Sequence, residues 1–399
     1  MSRRSLCLSL CCLLLLLGAV VNWSQRPPIQ PAGIPGLAAD AAPLEARPGL
    51  GSVMPERPPE IVRASVDEPQ PPSTTAPREP EPEIEEKKKK DPSQKLFSPG
   101  IVPSFTISID PEAWRSLERN PRRYVEATVE VDDKTYERVG VHLKGAAGSF
   151  QPVSASPALT LKLDKFVPGQ KLHGLRKIHL NNSVQDRTYL HELLAGELFL
   201  AAGVPAARAT QARLILNRRD RGIYVLKEGF DKRFLRRHFK DDSGSLYDGG
   251  FCQDIYQPLE NDTHRESADR SDLRRLREAS EERNLDDRWR RLGEVLDVER
   301  FLTFMALEVL LWDWDGYPMK PNNYRIYHDP ESDRLVFFPH GMDQLFAQSD
   351  GPILPGMGGL VARAVIETPA GKAKYLERLQ EITAKIFLPE TLDRRIVEV

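Results

Sequence analysis

The sequence predicts an α+β protein: a strand-rich stretch, then a helix-rich one, both behind a proline-rich spacer. Two-residue alternation recurs between Tyr124 and Glu228, with turn residues separating the runs. Helical patterning dominates after Lys232 and includes a run, Phe301 to Leu311, that is apolar on nearly every face and therefore predicts a helix buried within a domain. The 33 prolines are unevenly spread, and their crowding before Leu96 marks the first boundary.

Residues 1–25 carry Arg3 and Arg4, then an apolar run from Leu6 to Val21, the layout of a secretory signal peptide. The run is slightly short for a membrane span of about 20 residues. The following Asn22-Trp23-Ser24-Gln25 is a poor match to a cleavage site, so a cleaved signal and an N-terminal membrane anchor both stand, and both predict export. Residues 26–95 are rich in Pro, Glu and Lys, without apolar periodicity, and predict a disordered linker. Its Lys87 to Lys90 run reads as solvated, with polyanion binding as the alternative. After Cys7, Cys11 and Cys12 only Cys252 remains, so the body of the chain has no disulfide to form and no cysteine-rich zinc site. A net charge of -2 gives no reason to expect nucleic-acid binding.

The folded part divides into 96–230 and 231–399. Asp110 to Arg119 predicts a short helix with Pro111 at its first position. Tyr124 to Val131 alternates, Asp132-Asp133-Lys134 turns the chain, and Tyr136 to Leu143 returns. Lys144-Gly145-Ala146-Ala147-Gly148 follows; glycines after a strand let backbone amides approach a phosphate, but a plain hairpin loop is the simpler reading. Ala158 to Phe166 alternates with Lys162 opposite its leucines, either facing a cleft or lying on a half-exposed surface. Asp186 predicts the cap of a helix from Arg187 to Ala202 that carries Glu192 and Glu197, and a carboxylate on an apolar face wants a cationic partner. Gln211 to Asn217 and Gly222 to Glu228 predict a hairpin over Arg218 to Arg221. It leads through Glu228-Gly229 into a helix from Lys232 to Phe239. Gln257 to Leu296 is charged and helical in composition, and Leu360 to Val365 and Lys372 to Phe387 are helical again.

The most informative stretch begins where the Phe301 to Leu311 helix gives way to Asp313 and Asp315. A bare charge is costly to bury, so carboxylates there call for a cation or a polar cleft. Asn323 to Tyr327 and Arg334 to Phe338 predict a hairpin across Asp329-Pro330-Glu331-Ser332-Asp333. Antiparallel pairing then gathers Asp315, Asn322, Asn323 and Asp343 at one end, an oxygen-rich set suited to a hard divalent cation, or simply a polar-capped hairpin.

Together these pieces resemble the CotH kinase family, secreted relatives of spore coat protein H. The resemblance rests on VGVHLKG, LTLKLDKF with GLRKIHLNN, DRTYLHELLAGELFLAAGVPA with GIYVLKEGFDKRFL, and LLWDWDGY, NNYRIYHD and PHGMDQLF. It covers Phe97 to the C-terminus and implies a two-lobed atypical protein-kinase-like fold, with a β-rich N-lobe and a helical C-lobe. It further implies binding of ATP with Mg or Mn and phosphorylation of exported proteins on Ser-rich segments. Carried over, Lys162 would be the nucleotide lysine, with Lys144 as second candidate, and Glu192 or Glu197 its helix partner. Glu228 would sit at the lobe connector. Asp315 would be the catalytic base, with Asp313 as alternative; Asp343 and Asn322 or Asn323 would hold the metal. The gap from Asp315 to the asparagines is wider than in ordinary kinases and PHGMDQ stands in place of D-F-G, so these roles could be redistributed.

The resemblance also leaves a second class open, an inactive surface scaffold or adhesin. Metal-dependent hydrolysis is a third; the eight scattered histidines argue against it.

Overall fold

Alternating residues of the first half close on one another as a barrel. The computed structural model describes residues 91–399, position 147 excepted, so the signal or anchor and the linker up to Lys90 lie outside the described residues. Those described residues belong to a single compact unit.

The barrel strands are β1 (Ser104–Ser108), β2 (Val125–Val131), β3 (Lys134–Lys144), β4 (Ala158–Lys162), β5 (Lys177–Asn181), β6 (Ala209–Leu216) and β7 (Arg219–Glu228), in the closed order β1-β2-β3-β4-β5-β7-β6. Helix α1 (Pro111–Arg119) follows β1, and the Asp110 carboxylate accepts the N–H groups of Glu112 and Ala113. Six contacts around the barrel are antiparallel; β1 and β6 close it in parallel, with Phe105 opposite Leu214. Period two puts Phe105, Ile107, Val141, Leu159, Leu161, Leu180, Leu214 and Leu226 into one apolar core. The same period leaves Lys144, Thr160, Lys162, Lys177, His179 and Lys227 on the outer face, where Thr160, His179 and Lys227 are neighbours across β4, β5 and β7.

Two differences from the sequence reading have local causes. The β6–β7 turn is tighter than Arg218 to Arg221: Leu216 pairs Arg219, and Asn217 and Arg218 both hold positive φ, as a two-residue hairpin requires. The predicted strand from Ala158 to Phe166 stops at Lys162 and enters a turn, although Leu163 stays buried.

The helical part begins inside the barrel's own sequence. Helix α2 (His191–Ala201) connects β5 to β6, yet its Ala195, Leu198 and Phe199 join the second core. After α3 (Lys232–His238) come β8 (Leu246–Asp248), β9 (Glu260–Asn261), α4 (Ser271–Ser280), α5 (Leu285–Val295) and α6 (Val298–Leu310). The chain ends with β10 (Tyr324–Asp329), β11 (Arg334–Pro339), α7 (Leu360–Glu367), α8 (Pro369–Lys385) and α9 (Pro389–Glu398). Strands β11-β10-β8-β9 form a separate sheet. Helix α6 is buried as its composition requires: Phe301, Leu302, Phe304, Met305 and Leu307 are inaccessible, each side chain contributing roughly 1.5–3 kcal/mol of transfer free energy. The ring of Phe301 meets that of Phe337 at 4.9 Å, locking α6 onto β11. Among the described residues no helix is long and apolar enough to cross a membrane.

Candidate active site

The outer face of β3–β4–β5–β7 meets the helical part along a seam, and a cavity of about 330 Å³ opens at one end of it. Lys144, Asn181 and Glu192 line it from one side, and Asp315, Asn322, Asn323, His340, Asp343 and Gln344 from the other.

Glu192 owes its position to the start of α2. The Asp186 carboxylate accepts the N–H of Thr188 and of His191, both at 2.9 Å, and Tyr189 takes a positive φ. The helix therefore starts at His191 rather than Arg187, and Asp186 organises the turn before it. Glu192 then points at the barrel, where its Oε2 receives the ammonium of Lys227 in an ion pair with both partners buried. Its Oε1 accepts Asn181 Nδ2 at 3.1 Å, while Asn181 Oδ1 accepts Lys144 Nζ at 2.6 Å. The network Lys144–Asn181–Glu192–Lys227 spans three strands and a helix. Burial, with Lys227 close by, pulls the Lys144 ammonium down to about 8.

Lys227 lies inside the predicted strand Gly222 to Glu228 and is not singled out by the sequence reading. Its signal was present: a lysine in the apolar strand Tyr-Val-Leu-Lys needs a buried carboxylate. Lys162, in contrast, lies outside this cavity. It shares the outer face but stands at the opposite end of β4 from Ala158, roughly 13 Å along the strand, and lines a different cavity. Glu197 is also elsewhere. Five residues past Glu192 a helix has turned by about 140°, so Glu197 is exposed and binds Arg395 of α9, with Nε to Oε2 at 2.9 Å. Glu228, next to Lys227, alternates to the other side, buried between Arg208 (3.0 Å) and Arg237, and does not line the cavity.

On the opposite side Asp315 is held by donors. Its Oδ2 accepts Asn322 Nδ2 at 3.0 Å, Asn323 Nδ2 at 3.0 Å and Gln344 Nε2 at 3.2 Å, and Lys320 Nζ lies 3.1 Å from Oδ1. Asn322 is engaged at both ends, because its Oδ1 accepts the Cys252 N–H at 3.1 Å; it orients Asp315 and has one lone pair left for a metal. The Asn323 oxygen faces Gly341, whose φ of +60° and lack of a Cβ leave room for it. Asp313 does not line the cavity. Its carboxyl is buried without a hydrogen-bond partner, as is that of Glu308. Burial, then the neighbouring carboxylates, raise both well above the ordinary range.

Asp343 is the open carboxylate. Burial and the nearby Glu192 push it up to about 6, against the pull of Lys144 and Lys227. Its backbone oxygen lies 3.2 Å from His191 Nδ1, which ties this loop to α2. The chemistry of the donors fits a divalent cation. Among the described residues no three Asp, Glu, His or Cys side chains converge on one point. Mg²⁺, however, usually takes one or two carboxylates and completes its shell with phosphate oxygens and water. Asp343 and the Asn323 oxygen are the residues that would hold it. Burial and the neighbouring lysines hold the His340 imidazole neutral. The cavity thus offers the Lys144 ammonium on one wall, with the buried Lys227–Glu192 pair behind it, and one open carboxylate on the other.

Comparison with known proteins gives the family. The family model described as CotH kinase protein matches residues 148–399. Invasin CotH2 of Rhizopus delemar is 24% identical over 346 residues, 76% of this chain and 57% of its own length. Invasin CotH7 of the same fungus is 23% identical over 240 residues, 52% of this chain and 39% of its own. Inner spore coat protein H of Bacillus subtilis is 22% identical over 255 residues, 58% of this chain and 69% of its own. The chain therefore spans well under two thirds of the fungal relatives it matches.

Proposed function

This chain belongs to the CotH kinase protein family, and from that premise we propose that it transfers the γ-phosphate of ATP to serine, or threonine, of exported or cell-surface proteins. The barrel and the helical part are read as the two lobes of a kinase-like fold, with the nucleotide phosphates in the cavity between them. The observation that carries this reading is the placement of Lys144, Asn181 and Glu192, with Lys227 buried behind them, opposite Asp343 and Asp315 in one cavity. Surface or extracellular placement is supported by relatives named as invasins and a spore coat protein.

In this mechanism Lys144 faces the phosphates, and Glu192 holds Lys227 in place behind it. Asp343 and Asn323 hold the Mg²⁺ or Mn²⁺, which supplies charge neutralisation when bound. Asn322, Asn323, Gln344 and Lys320 aim Asp315 at the serine hydroxyl. The serine Oγ bonds to the γ-phosphorus as the bond to the β–γ bridging oxygen breaks. ADP leaves, and the hydroxyl proton passes to Asp315 and then to water.

The adhesin or scaffold reading keeps one specific support: Asp315 is so fully hydrogen-bonded that it would serve equally well as a structural tie. Incubation of the chain with γ-labelled ATP, Mg²⁺ or Mn²⁺ and a serine-rich acceptor separates the two. Transfer by the parent and none by Asp343→Ala supports the kinase. Equal transfer by both would remove Asp343 from the site, and none by either with no nucleotide-dependent stabilisation supports the scaffold; a bound nucleotide at a hundredfold excess over Kd would add about 2.7 kcal/mol.

A further inference from the structure

A second cavity, of about 440 Å³, opens at the other end of the seam. Its walls carry Lys162, Lys171, Arg176 and Lys177 from the barrel part and Lys232, Arg233, Arg236 and Arg265 from the helical part. Only Asp164, Asp231 and Asp262 oppose them; each has a partner, although one oxygen of Asp164 and one of Asp231 are buried without one. Asp164 faces Arg176 at 3.7 Å, Asp231 caps α3 through the N–H groups of Arg233 and Phe234, and Asp262 takes Arg325 at 2.8 Å and Arg265 at 2.9 Å. Among the described residues Lys162, Lys171, Lys177 and Lys232 have no carboxylate within ion-pair distance. Unpaired cations gathered from both sides of a concave seam repel one another and attract a multiply charged anion.

The two cavities share their walls. On β4, Ala158 lines the first and Lys162 the second; on β5, Asn181 lines the first and Lys177 the second; on β8, Asp248 lines the first and Leu246 the second. The separation along β4 is four residues, roughly 13 Å of extended chain. Between them Thr160, His179 and Lys227 are buried, so the two cavities are separate openings at the two ends of the seam.

We propose that the basic cavity is the docking site for an acidic segment, rich in Asp or Glu, of the acceptor polypeptide. The acceptor role rests on the kinase reading above; the binding of an acidic segment does not. A polypeptide is favoured over a compact phosphate ligand because the free cations are lysines on flexible stems spread along the seam, with no bidentate cage between them.

The test uses the full chain and fluorescein-labelled hexaglutamate, read by anisotropy without ATP, with hexaglutamine and inorganic tripolyphosphate as comparison probes. Hexaglutamate should bind, weaken at least tenfold between 50 and 200 mM salt as a lysine-dominated contact does, and lose at least tenfold affinity in Lys162→Glu/Lys171→Glu. The milder Lys162→Ala should give an intermediate loss, and Asp343→Ala should bind like the parent. In the transfer assay the double variant should raise KM for a serine peptide with a flanking Glu run and leave kcat unchanged. Equal binding of hexaglutamine, tripolyphosphate binding without hexaglutamate binding, or variants indistinguishable from the parent would overturn the proposal. Salt-sensitive hexaglutamate binding with no phosphate transfer to any peptide would uphold the docking site and remove the kinase reading instead.

Discussion

Lys227 of β7 and Glu192 of α2 form a buried ion pair behind the candidate phosphate site, joining the barrel to a helix that belongs to the other core. Removing one partner leaves a bare charge, at a cost of about 3–5 kcal/mol, whereas replacing both with apolar groups is often neutral. Lys227→Met and Glu192→Leu should each lower stability by that amount in urea titration, and the double variant should recover most of it. None of the three should transfer phosphate. Full transfer by the double variant would reduce the pair to a structural tie.

Asp343 is exposed to the cavity and raised by burial, so its charge opposes folding rather than aiding it. Asp343→Asn should abolish phosphate transfer with a melting temperature equal to or above that of the parent. Retained transfer, read by labelled ATP, contradicts its assignment.

Lys144, lowered to about 8, is charged below that pH and neutral above it. Nucleotide affinity should therefore fall as pH rises from 7.5 to 9, whereas in Lys144→Met it should be weak and flat over the same range. Isothermal titration with a non-hydrolysable ATP analogue reads this directly; identical slopes for parent and variant would contradict the role given to the lysine.

Glu308 and Asp313 are buried without partners and raised by burial. The folded chain holds these protons to higher pH than the unfolded chain, whose carboxyls titrate near 4, so folding takes up protons and stability falls as pH rises above that value. Glu308→Gln should gain on the parent between pH 5 and pH 8, by up to roughly 1.4 kcal/mol per pH unit. Parallel urea midpoints across that range would show that the pair carries no such penalty.

Glu197 bonds Arg395 at the surface, away from the cavity. Glu197→Ala should leave phosphate transfer unchanged and cost at most about 0.2–1 kcal/mol, the usual value of an exposed pair. A large loss of activity would return Glu197 to the site.

Much of the local structure was legible because it follows from neighbouring residues. Period-two alternation marked Val125 to Val131, Asp110 and Pro111 opened α1, Gly203 closed α2, and turn chemistry set the Tyr324–Asp329 and Arg334–Pro339 hairpin. The oxygen-rich end of that hairpin was legible too, since antiparallel pairing alone brings Asn322 and Asn323 toward Asp343. Strands β1 and β5 were not read out, because their pairing with β2 and β6, and with β4 and β7, defines them more than their own pattern does.

The sequence by itself determined which residue types are present, the chain's alternation and the polar end of its hairpin. Tertiary structure decided which lysine meets which glutamate. Register puts Lys227 beside His179 on the outer face and sends Lys162 to the far end of β4; helix phase aims Glu192 inward and Glu197 at Arg395. Burial settled the rest, by engaging Asn322 at both ends and leaving Asp343 open. Those choices depend on strands and helices far apart in the chain, and a one-residue change of register or a half-turn of helix would reverse each of them.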